Sequence, residues 1–96
     1  MNKNFFKAVL LLDKGEYDSG EEILKCEISE CDNQIELIEM KASYAELLCE
    51  LERYDEALEC ANYIIDNAQF ALENDCTNEL ETAEEIKNAI ENSVAF

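Results

Sequence analysis

The chain has 96 residues, with 24 acidic side chains against 7 basic ones, a net charge of −17. A chain of this length makes one domain with little core to spare, and charge of this sign repels nucleic acid and anionic lipid. Hydrophobic residues nevertheless make up 48% of the sequence, which separates it from disordered acidic chains, because those are poor in apolar side chains.

Proline is absent and there are only two glycines, while Glu, Leu, Ala, Ile and Lys dominate, so helix propensity is favourable almost throughout. The expected fold is all-α, a single domain of five antiparallel helices. The segment Met1 to Leu12 combines lysines with a short apolar run, but Asp13, Lys14, Gly15 and Glu16 follow at once. It therefore reads as a first helix and not as a secretory signal. No run approaches the roughly 18 apolar residues of a membrane span, and a soluble, cytoplasmic protein is expected.

Gly15 stands where the first helix stops. Asp18, followed by Glu21, has the spacing of a capping box and opens a second helix with Gly20, Ile23, Leu24 and Ile28 on one side. These two helices form a hairpin over residues 4–29. Asn33 with Glu36 offers a further start signal, for a third helix over about 34–51. Its apolar side collects Leu37, Ile38, Tyr44, Ala45, Leu48 and Leu51, while Glu36, Glu39, Ser43, Glu46 and Glu50 recur on the other.

A fourth helix is expected over 55–73, with Ala57, Ala61, Ile64, Ala68 and Leu72 inward and Glu59, Asn62, Asp66 and Glu73 outward. The third and fourth helices make a second hairpin over 34–73. After a turn at 74–78, a fifth helix over 78–94 places Leu80, Ala83, Ile86 and Ile90 inward. Its acidic outer side suits a terminal helix that covers a core without recruiting another copy.

The sequence offers little for chemistry. There is no histidine, carboxylates stand on every predicted helix surface, and phosphate loops, nucleophile elbows and dinucleotide fingerprints are all missing. No catalytic residue, metal ligand set or cofactor is assigned. The twelve residues from Asp13 have the length of an EF-hand loop, but Gly15, Tyr17, Asp18 and Leu24 occupy positions that need oxygen ligands, a glycine and a terminal glutamate. Cys26, Cys31, Cys49, Cys60 and Cys76 form an odd set without a CxxC pair and read as reduced, small apolar side chains.

One phrase occurs twice. KGEYDSGEEILKCEI begins at Lys14 and LERYDEALECANYII at Leu51, so that Ala8 corresponds to Ala45, Leu11 to Leu48, Tyr17 to Tyr54, Gly20 to Ala57 and Ile28 to Ile65. Small residues thus recur where paired helices touch. Ala8 with Leu11, Ala45 with Leu48, and Ala57 after Tyr54 resemble the tetratricopeptide (TPR) repeat, over about residues 4–72. The offset of 37 is longer than the family's roughly 34 residues, and neither unit closes with proline. The resemblance implies two stacked units with a C-terminal capping helix and a concave face that holds a peptide or helix of a partner. The seven bases are scattered singly, so a basic clamp for acidic peptides is not expected.

Two functions follow as expectations. The first is capture and neutralisation of a cationic partner protein, as by an immunity protein or antitoxin, in which carboxylates mask a phosphate-binding surface. Glu36, Glu39, Glu46 and Glu50 are its first candidates and Asp55, Glu56 and Glu59 its second. Tyr44, Tyr54 and Tyr63 would add affinity. The alternative is a small TPR-type chaperone or adaptor, for example for secretion, holding an amphipathic helix of its client in an apolar groove. Ile35, Met40, Leu47, Tyr63 and Phe70, which lie off the main apolar faces, would mark that groove.

Overall fold

The two copies of the repeated phrase adopt the same turn. Glu16 donates its N–H to the Leu11 carbonyl at 2.9 Å and Gly15 donates to Leu12 at 3.0 Å. Arg53 and Glu52 make the equivalent bonds to Leu48 and Cys49 at 2.8 and 3.1 Å. Both are Schellman closures, which need a left-handed residue just past the helix. Gly15 takes that role at φ 83° and Glu52 at φ 61°. The following residues match as well, with Glu16 at φ −88°, ψ 69° and Arg53 at φ −96°, ψ 69°.

These turns organise a computed structural model that describes residues 3–94. Its helices are α1 Lys3–Asp13, α2 Tyr17–Glu30, α3 Gln34–Glu50, α4 Tyr54–Asp66, α5 Ala68–Glu73 and α6 Thr77–Val94, and the described residues include no strand. α1 pairs with α2 and α3 with α4, each across a short turn, while α6 packs on α4 and α3. The all-α class stands; five helices do not.

The expected helix over 55–73 is divided at Asn67. The Asn67 side-chain amide donates to the Tyr63 carbonyl at 2.8 Å, and its backbone, at φ −109°, leaves the helical range. A side chain that competes for a helical carbonyl offers the backbone another conformation. Register changes as a result: Ala71 is buried and Leu72, expected inward, is 59% exposed.

The helix starts are also instructive. Asn33 Oδ1 accepts the Glu36 N–H at 3.0 Å, as its spacing predicted. Asp18 and Glu21 form no capping box, because α2 begins at Tyr17 and the Glu16 side chain makes no cap bond. Glu21 is drawn instead toward Arg53.

α3 is the central helix and is covered on more than one side. Met40 joins Phe5, Ala8 and Leu24 under the first hairpin. Ala45 and Leu48 meet Ala57, Cys60 and Ile90, while Ile38 and Ala42 meet Ala61, Ile64 and the α6 residues Leu80 and Ala83. A helix with neighbours around it loses the division into one apolar and one polar half. What remains polar is a narrow stripe. The small residues let backbones approach closely: a Cβ added at Gly20 would lie 2.6 Å from Leu12 Cδ2.

Candidate functional site

Residues 39, 43, 46 and 50 are spaced by four, three and four, which puts them on one face of a helix. On α3 that face is the floor of a valley. A cleft of about 290 Å³ lies between α1 and α3, where Val9, Leu12 and Asp13 face Ser43, Glu46, Leu47 and Glu50. A second, of about 250 Å³, is lined by Glu39, Ala42, Ser43 and Glu46 with Phe5 of α1 and Asn78, Glu79 and Thr82 of α6. Ser43 and Glu46 belong to both, so the clefts adjoin. The expected row of carboxylates thus runs between two flanking helices, with Glu39 half-buried and Glu46 and Glu50 exposed.

Lining the row up between helices has an electrostatic cost. Burial raises the Glu39 carboxyl above its ordinary range, and the nearby charges of Glu79 and Glu36 push the same way, with the N-terminal charge opposing them more weakly. Glu46, although exposed, is also raised, because the protein around it strips some of its water and Glu50 repels it. Among the described residues, Glu39, Glu46, Glu50 and Glu79 form no salt bridge. Glu79 Oε2 is shielded from solvent with no hydrogen-bond partner. Such carboxylates gain from an incoming cation. Glu36, half-buried, begins the same helix but lines neither cleft.

The second candidate group behaves differently. Glu56 is held by Arg53, Nε to Oε2 at 2.7 Å and Nη2 to Oε1 at 3.0 Å. Arg53 Nη1 reaches Glu21 Oε1 at 2.9 Å. Hydrogen bonds from the guanidinium hold both carboxyls below their ordinary range and raise the arginine. Glu56 is thus neutralised within the molecule, while Asp55 and Glu59 are exposed and line neither cleft.

The aromatic candidates separate as well. Tyr44 donates its hydroxyl to Glu21 Oε2 at 2.7 Å and packs against two of the core clusters; burial and that carboxylate push its pKa up. Tyr63 is half-buried, with Lys41 Nζ 4.4 Å from its ring centre. Tyr54 is 47% exposed. Of the residues proposed for an apolar groove, Met40 and Leu47 are buried, Tyr63 and Phe70 pack against the core, and Ile35 is exposed.

Sequence reasoning missed Val9, Leu12, Asp13 and Glu79, which reach the valley from helices distant in the chain. It also missed the Glu21–Arg53 pair. Cys26, Glu27 and Glu30 bring one potential metal-ligand atom each within 4.8 Å of one another on α2; helical spacing of i, i+1 and i+4 accounts for that proximity. Glu27 also accepts a hydrogen bond from Asn4 at 3.3 Å.

No family model matches this chain, and no curated protein or solved structure does.

Proposed function

We propose that the chain is an acidic helical protein-binding module that captures a cationic partner protein in the valley along α3. It holds that partner inactive in the cytoplasm, as an immunity protein or antitoxin does. The observation that carries this reading is the run of Glu39, Glu46 and Glu50 along one face of α3, none of them in a salt bridge among the described residues. Repelling carboxylates are relieved when lysine or arginine enters, and the net charge of −17 steers a basic protein toward them. A helical row presents about one carboxylate per 5.4 Å turn, which suits it to stand in for phosphates in a basic cleft.

The matching turns at Gly15 and Glu52 support a stack of two TPR-like units, with α6 as the cap. A broad apolar groove of chaperone type has less to stand on, since Met40, Tyr63 and Phe70 are engaged in the core. Pull-down from the native cell extract at low and high salt tests the proposal, with Glu39→Gln/Glu46→Gln/Glu50→Gln as control. A basic protein retained at low salt, released at high salt and lost with the triple variant is expected. Retention that ignores both salt and the variant would overturn it.

A further inference from the structure

The cleft between α1 and α3 is not uniformly charged. Half-buried Val9 and Leu12 from one helix, their inner sides packed on the core, and the nearly covered Leu47 from the other form a narrow apolar strip, with exposed Asp13, Glu46 and Glu50 around it. An apolar centre within a polar rim is the anatomy of a protein interface. The volume, about 290 Å³, sits at the lower edge of the roughly 300–1,000 Å³ that small-molecule sites occupy. From Ser43 to Glu50 the strip covers about 10 Å, two turns at the helical rise. Two turns of a docked helix present apolar anchors at i, i+3 or i+4, and i+7.

Building on the capture of a cationic partner, we infer that the segment seated between α1 and α3 is a basic amphipathic helix. Its leucine-like anchors enter the strip of Val9, Leu12 and Leu47, and its flanking lysines or arginines meet Asp13, Glu46 and Glu50. Charge complementarity selects this occupant. Among the described residues none of these three carboxylates is in a salt bridge, so an apolar helix without bases would leave them desolvated and uncompensated. A second copy of this acidic chain would bring more negative charge to the same rim.

The test uses three synthetic peptides of equal length and charge, followed by fluorescence anisotropy. One is a helix-forming lysine peptide with leucines at i, i+3, i+4 and i+7, the second has the same composition scrambled, and the third is lysine with serine. The amphipathic peptide is expected to bind about tenfold more tightly than the scrambled one, the gain that one buried leucine supplies. Val9→Ser/Leu12→Ser should erase that preference while leaving the salt-dependent component. Circular dichroism verifies folding, and Glu46→Gln/Glu50→Gln, which leaves the apolar strip intact, should keep the preference but flatten the salt dependence. Equal binding of amphipathic and scrambled peptides overturns the amphipathic occupant and leaves cation capture standing. Absence of binding by all three at low salt overturns both.

Discussion

The Arg53 guanidinium lies 2.9 Å from the carboxylate of Glu21, thirty-two positions earlier in the chain. Arg53 closes the turn between α3 and α4, whereas Glu21 belongs to α2, so the contact ties the second hairpin to the first. Tyr44 reaches the other oxygen of the same carboxylate at 2.7 Å. Tyr44→Phe is expected to lower stability by about 1.5–3 kcal/mol, the range for a hydrogen bond to a charged group. Urea denaturation measures it. Arg53→Gln should lower the melting temperature more than Lys14→Gln, which alters the same net charge at an exposed residue.

Stability should have an unusual dependence on pH. Glu39 and Glu46 titrate above the ordinary glutamate value of 4.5 in the folded state, chiefly through burial. The folded protein then binds protons more tightly than the unfolded chain, so stability rises as pH falls from neutral toward that value. Glu21 has the opposite sign. Arg53 holds it low, and its contribution, present above 4.5, is lost as pH falls through its folded value. Thermal melts from pH 7 to 3 should therefore show a maximum on the acid side of neutral, and Glu39→Gln/Glu46→Gln should flatten the upper limb.

The left-handed residues give a cleaner backbone test. Glu52 occupies φ 61° at a position equivalent to Gly15. A side chain there costs about 1 kcal/mol, so Glu52→Gly should stabilise by roughly that amount and Gly15→Ala should destabilise by a similar one. Chemical denaturation of both variants checks the pair.

The break at Asn67 distinguishes two nearby leucine-sized residues. Ile64→Ala, at a fully buried site, should cost about 2–4 kcal/mol. Leu72→Ala should stay within about 0.5 kcal/mol, since Leu72 stands largely in solvent. A large loss at Leu72 would mean that α4 continues unbroken.

The thiols should react in order of exposure. Cys26 is exposed, whereas Cys60 and Cys76 are buried and burial raises both thiols. Labelling with a thiol reagent should modify Cys26 first and reach Cys60 and Cys76 only with unfolding.

Much of this architecture was legible because helical periodicity and turn residues are local signals. Gly15 marked the first stop, Asn33 with Glu36 marked the start of α3, and Leu80, Ala83 and Ile90 of α6 are buried as their spacing implied. The break at Asn67 was hidden because one asparagine in a helical pattern does not announce that its amide will take a carbonyl. Met40 and Leu47 looked peripheral on α3 alone; they are buried because further helices surround it. The acidic stripe was visible as a stripe, but its place between clefts depends on α1 and α6.

Carboxyl-resolved NMR on protein labelled with ¹³C at glutamate measures the use of that valley directly, during titration with a lysine-rich helical peptide. The expected result is that Glu39, Glu46 and Glu50 shift first and saturate together, ahead of Glu81, Glu84, Glu85 and Glu91 on the outer side of α6. Shifts spread evenly over all of these groups, or led by the α6 set, would contradict a binding valley on α3.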